Sequence, residues 1–109
     1  MKRGAEYLIQ QDAVRWFRLQ YPNYVIFSVP NEATYKNKLY FNGLGTLTGV
    51  SDTVVLLPNK VLFVEFKAGK NRQSLEQKLF QQQVEALGFK YYLVYTVDDF
   101  IKIIRSELR

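Results

Sequence analysis

"GVSDTVVLLPNKVLFVEFKAGK", Gly49–Lys70, decides the fold. Two runs rich in β-branched and apolar residues, Ser51–Leu57 and Lys60–Lys67, flank Pro58-Asn59. Runs of this kind joined by a two-residue turn read as a β-hairpin. With Pro58 and Asn59 as the turn, Leu57 faces Lys60, Leu56 faces Val61 and Val54 faces Phe63. Asp52 then faces Glu65, and Lys67 shares their face because it lies two residues further along the strand. The same face carries Val54, Leu56, Val61 and Phe63, so it is expected to be buried. Two acids thus sit at one end of an apolar face.

Directly opposed Cβ atoms are ~5 Å apart. Like charges at that distance repel by ~3 kcal/mol at an effective dielectric of about 20. Folding would tend to keep one acid protonated unless a cation offsets the repulsion. Lys67 can do part of this. A hard divalent cation, which takes carboxylate oxygens, would do more.

The neighbouring helices send polar groups to the same place. Residues 5–20 read as a helix with Ile9, Ala13, Trp16 and Phe17 at helical spacing, ended by Tyr21-Pro22. Glu6 opens the inward face of that helix, where a solvated Glu is not expected. Its position near the N-terminus also suits the helix macrodipole. Residues 74–87 form another expected helix, closed by Gly88. Its inward face carries Phe80, Val84 and Leu87, and Gln77 opens it. Ser74-x-x-Gln77 is also a capping box, so the Gln77 amide can reach back to Ser74 as well as toward the sheet.

The remaining elements complete an α-β-β-β-α-β-α order. Residues 24–29 and 90–96 read as strands. Residues 97–108 read as a helix, with Thr96 as N-cap and Asp99 three residues on. The helix between the third and fourth strands implies a crossover to a parallel neighbour. The expected fold class is α/β, a mixed sheet flanked by helices in a single domain spanning 1–109. Residues 30–48 form a long polar loop, and loops of that length are more often functional than idle.

Composition narrows the chemistry. The 109 residues include no Cys and no His. Disulfides, thiolate metal sites, Ser-His-Asp and Cys-His catalysis and His-based nucleases are excluded. Any catalysis must rest on carboxylates, Lys, Tyr or hydroxyls, for which an oxygen-bound divalent cation is the natural helper. The net charge of +5, from 15 Lys+Arg against 10 Asp+Glu, favours a polyanionic partner. No run approaches the ~18 apolar residues of a membrane span. "MKRGAEYLIQQ" lacks the apolar core of a secretory signal, so a cytoplasmic protein with no membrane partner is expected.

"GVSD", "VEFK" and "SLEQK" together resemble the virus-type replication-repair nuclease (VRR-NUC) domain of the PD-(D/E)xK nuclease superfamily. "PNE" at Pro30–Glu32 and the Glu of the first helix fit as well. The likeness runs from Glu6 to about Phe100, with Ser51 where that family usually has Pro. It implies a restriction-endonuclease-like core and hydrolysis of DNA phosphodiesters with Mg²⁺ or Mn²⁺. It implies metal ligation by Asp52, Glu65 and the backbone carbonyl of Phe66, with Glu6 direct or through water. Lys67 would orient or activate the attacking water, and Gln77 would position Lys67 or the water. Stand-alone members resemble Holliday-junction resolvases, which implies a homodimer, branched DNA as partner and a bacterial or phage-infected host cell.

Lys36, Lys38, Lys70, Arg72 and Lys78 flank the expected site and are candidates for phosphate contacts. Tyr35, Tyr40 and Phe41 in the long loop are candidates for stacking on unpaired bases. Two other classes of function remain open on the residues alone: a non-catalytic nucleic-acid-binding module with the same fold, and a dimeric subunit that binds protein.

Overall fold

A computed structural model describes residues 4–30 and 43–109. Its elements run α1 (Ala5–Gln20), β1 (Val25–Ser28), β2 (Thr53–Leu57), β3 (Lys60–Phe66), α2 (Leu75–Ala86), β4 (Lys90–Val94) and α3 (Val97–Glu107). The expected order is therefore found, with ends trimmed by one to two residues. Strands lie in the order β1-β2-β3-β4. β1 and β3 both pair antiparallel with β2, and β4 pairs parallel with β3. The sheet is mixed, and α2 makes the crossover between its parallel strands.

The β2–β3 register is the one the turn dictates, with Leu57 opposite Lys60, Val54 opposite Phe63 and Thr53 opposite Val64. Asn59 takes a left-handed φ of 58°, which Asn tolerates at low cost, directly after the fixed φ of Pro58. That pair closes the hairpin tightly and leaves no slack for a register slip.

The two sheet faces differ from expectation in their burial. The fully covered face is the one opposite the acids. It carries Thr53, Val55, Leu57, Leu62, Val64 and Phe66, all buried. These pack with Ala13 and Phe17 of α1 and with Phe100 and Ile104 of α3. Phe100 is the hub, with its ring edge-on or tilted to Trp16, Phe17 and Phe66. The acid-bearing face is only half covered. Val54 is buried, Val61 and Phe63 are half-buried, and Leu56 is 37% exposed. The reason is that two helices cover one face whereas α2 alone covers the other. Phe80 of α2 meets Phe63 and Tyr91 edge-on, so α2 sits over β3 and β4. Val25, Phe27 and Leu56 on the β1–β2 side of that face stay exposed. Leu87 is also exposed rather than inward, because α2 ends there at its C-cap.

The start of β3 and the start of β4 are tied to the end of α3. Glu107, 5% exposed, accepts from Lys60 Nζ at 3.2 Å, from Lys90 Nζ at 3.0 Å and from the Tyr92 hydroxyl. Burial alone would raise this carboxyl. The bonds from Tyr92, Lys90 and Lys60 together hold it below its ordinary value instead. This lock fastens α3 at the end of the sheet away from Glu65.

Candidate active site

The C-terminal end of β3 gathers the polar groups that the sequence sends there. Asp52 lies one residue before β2, next to the Thr53–Val64 pair, and so opposite Glu65. Its Oδ2 accepts from the Phe66 amide at 2.8 Å, which ties it across the hairpin. Its own carbonyl accepts from the Val29 amide at 2.8 Å, which ties it to the end of β1. The preceding Ser51 is fully buried, and its hydroxyl donates to the Thr53 carbonyl at 3.0 Å. Gly49 brings this segment against α2. It has φ +88°, and a Cβ there would stand 2.4 Å from the Glu76 carbonyl oxygen. Only glycine permits that approach.

Glu65 is 1% exposed and both its oxygens are held. The Tyr91 hydroxyl donates to Oε1 at 2.9 Å. Gln77 Nε2 donates to Oε2 at 2.6 Å. Lys67 Nζ stands 3.7 Å from the same Oε2. Gln77 also completes the capping box, because its Oε1 accepts from the Ser74 amide at 2.8 Å. The two expectations for Gln77 therefore both hold, with one end of the amide serving each. Its partner in the site is Glu65, however, and not Lys67.

Glu6 of α1 is half-buried and accepts from Asn71 Nδ2 at 2.5 Å. It stands near enough for its charge to act on both Asp52 and Glu65. Lys70, Arg72 and Lys78 are exposed. Lys36, Lys38, Tyr35, Tyr40, Phe41 and the Asn31-Glu32 pair lie outside the described residues.

The electrostatics follow from this crowding. Burial pushes the Glu65 carboxyl up to about 7, and the charges of Asp52 and Glu6 add to the shift against the Tyr91 bond and Lys67. Burial also raises Asp52, against the Phe66 amide and Lys67. Tyr91 is raised by burial and by the charge of Glu65, so it remains a donor. A strongly perturbed acid, Glu65, beside a second acid and a lysine marks a functional-site candidate.

The donor set suits a hard cation. Two carboxylates facing each other across the hairpin present oxygen only, and each carboxylate has about four lone-pair sites, of which Asp52 gives one and Glu65 two to hydrogen bonds from the protein. Among the described residues no group of three or more His, Cys, Asp or Glu gathers closely enough to hold one ion by side chains alone. The fit is thus to an ion held by one or two carboxylates that keeps much of its water, the habit of Mg²⁺.

Sequence reasoning missed Tyr91, Gln73 and Asn71. Gln73 donates to the Tyr91 hydroxyl at 3.4 Å, and Asn71 holds Glu6. The β3–β4 register, with Phe63 opposite Tyr91, puts that tyrosine on the face of Glu65. A parallel pair joined through a helix leaves its register open in the sequence, so the signal was not there to read.

No family model and no curated protein matches the sequence. A solved structure described as a VRR_NUC domain protein does match in shape. It superposes with a TM-score of 0.76 over 97% of this chain and 89% of that one, at 18% identity. The chain has the VRR-NUC fold. That is the fold expected from "GVSD", "VEFK" and "SLEQK". The VRR-NUC frame accounts for the mixed sheet and for the hairpin that carries Asp52 and Glu65. No helix among the described residues is long and apolar enough to cross a membrane.

Proposed function

We propose that this chain is a metal-dependent, structure-selective endonuclease acting on branched DNA. The observation that carries the reading is the pairing of Asp52 with Glu65 across a hairpin, with Lys67 against Glu65. In this reading Asp52, Glu65 and the Phe66 carbonyl would hold Mg²⁺ or Mn²⁺, with Glu6 reaching the ion through water. The ion, when bound, supplies Lewis acidity at the scissile phosphate. Its charge also offsets the repulsion between the two acids, which folding otherwise meets by protonation.

The chain's own groups do the rest. Tyr91 and Gln77 hold the Glu65 carboxylate in one orientation from both oxygens. Lys67, with a side chain 12% exposed, brings a cation beside Glu65 to orient the attacking water or to face the charge that develops on phosphorus. Lys70, Arg72 and Lys78 offer phosphate contacts from the turn after β3 and from α2, and Lys36 and Lys38 are further candidates. The working form is a homodimer, which supplies two sites for two symmetric cuts. The exposed strip of Val25, Phe27 and Leu56 supports a second copy covering the open half of the sheet.

The test is incubation with four-way junctions, flaps and blunt duplex, with and without Mn²⁺. Cleavage of branched DNA is expected only with the metal, and it is lost in Asp52→Asn and Lys67→Ala. Undiminished cutting by both variants overturns the site. Binding without cleavage under every divalent ion replaces this reading with a non-catalytic nucleic-acid-binding module.

A further inference from the structure

The groove between α1 and β1 is not used by the site just described. It has a volume of about 540 Å³ and is lined by Gln11, Arg15, Arg18 and Ser28 among others, with no acidic residue among the described residues of its wall. Gln11, Arg15 and Arg18 lie four and three residues apart, so they project from one side of the helix. Arg18 is already oriented, because its Nη2 donates to the Ile26 carbonyl at 3.1 Å. A guanidinium has five N–H donors, and this bond uses one of them.

Two residues of its wall adjoin, along the chain, segments that carry the candidate active site. Tyr7, at one end of its wall, follows Glu6 directly. Ser28, in its other wall, precedes Val29, whose amide donates to the Asp52 carbonyl at 2.8 Å. From Tyr7 to Arg18 the helix rises about 16 Å, the length of roughly five steps of one DNA strand. The volume is that of a small-molecule pocket, and a DNA major groove alone is about 12 Å wide. A duplex, wider overall than its own major groove, does not enter a space of that volume.

We infer that the α1–β1 groove is the track of a single DNA strand leaving the candidate catalytic end, with its phosphates on Arg15 and Arg18. The inference rests on the nuclease reading for its substrate, and it adds a second contact surface on the opposite side of the sheet from Lys78. It also accounts for selectivity. A substrate with an unpaired arm engages this track, and blunt duplex does not.

Binding in the absence of divalent ions tests it, with a junction bearing a single-stranded arm and a blunt duplex as probes. Arg15 and Gln11 are exposed, so Arg15→Gln and Gln11→Glu leave the core intact, and thermal unfolding checks this. Arg15→Gln is expected to weaken binding of the armed probe about fivefold to tenfold. It should also flatten the slope of log affinity against log salt by about 0.7. Gln11→Glu, which sets a carboxylate against the strand, should weaken it more. Blunt duplex should be bound as by wild type. Unchanged affinity and slope for the armed probe overturn the inference, as does an equal loss on blunt duplex. A Mn²⁺-induced rise in melting temperature reports the acid pair separately. If that rise is seen while Arg15→Gln binds like wild type, the groove fails and the metal site stands. If wild type binds neither probe, both readings fall.

Discussion

Gln77 joins a helix cap to a buried acid: one end of its amide accepts from the Ser74 backbone at 2.8 Å, and the other donates to Glu65 Oε2 at 2.6 Å. The start of α2 and the end of β3 are thereby fixed to each other through a single side chain. Gln77→Glu separates the two roles, because it keeps the acceptor that completes the cap and removes the donor. It also adds a charge beside Glu65. Gln77→Ala removes both, and a loss of about 1–3 kcal/mol is expected from the cap and from the acid left short of a donor. Urea unfolding at neutral pH measures it. A Gln77→Glu variant as stable as wild type would show that the contact with Glu65 contributes little.

Stability should depend on pH through Glu65. Its carboxyl rises from 4.5 to about 7 on folding, so folding favours the protonated form. Its stabilising contribution is fully present below pH 4.5 and is lost as pH rises through about 7. The swing amounts to about 3 kcal/mol. Glu65→Gln should flatten that part of the curve and melt higher than wild type at about pH 8 in the absence of metal. A wild-type protein whose stability is level across this window would mean that the acid is ionised at little cost.

Glu107 should act in the opposite sense. Its folded value is lowered, so the contribution is present above the unfolded value and lost as pH falls through the folded one. Glu107→Ala leaves Tyr92 without its buried acceptor and unfastens α3 from the starts of β3 and β4. Lys60 and Lys90 are themselves well exposed and keep water, so a cost of about 1–3 kcal/mol is expected, not the larger figure of a fully buried pair. Acid titration of the melting temperature, wild type against variant, reads both the size and the sign.

Gly49→Ala should be severe for a residue in a connecting segment. The added methyl would meet the backbone of Glu76, and the φ of +88° is itself strained for alanine. A loss of about 2 kcal/mol or more is expected. The damage should reach Asp52, since the 49–52 segment carries it. Hydrogen exchange of the Phe66 amide, which donates to Asp52, should accelerate in this variant more than in Gly69→Ala, where a Cβ meets nothing within 4 Å.

Much of this arrangement was legible in the sequence because it rests on short-range rules. Pro58-Asn59 fixes the hairpin, the hairpin puts Asp52 opposite Glu65, and helical spacing puts Glu6 and Gln77 at the ends of their inward faces. What was not legible depends on contacts distant in sequence. The burial of Thr53, Val55 and Val64 rather than Leu56 and Val61 follows from α1 and α3 sharing one face of the sheet, which no local pattern declares. Tyr91 reaches Glu65 only through a parallel register, and Glu107 meets Lys60 across the whole second half of the chain.

The tight turn at Pro58-Asn59 has a bearing on how this hairpin can change. Strand side chains alternate, so inserting one residue at the turn, with β2 held in place, would rotate Glu65 and Lys67 into the greasy layer beneath α1 and α3. Val64 and Phe66 would swing out toward α2 and water. Length changes at this bend are therefore tolerated in twos, and a lone insertion or deletion strikes fold and chemistry together.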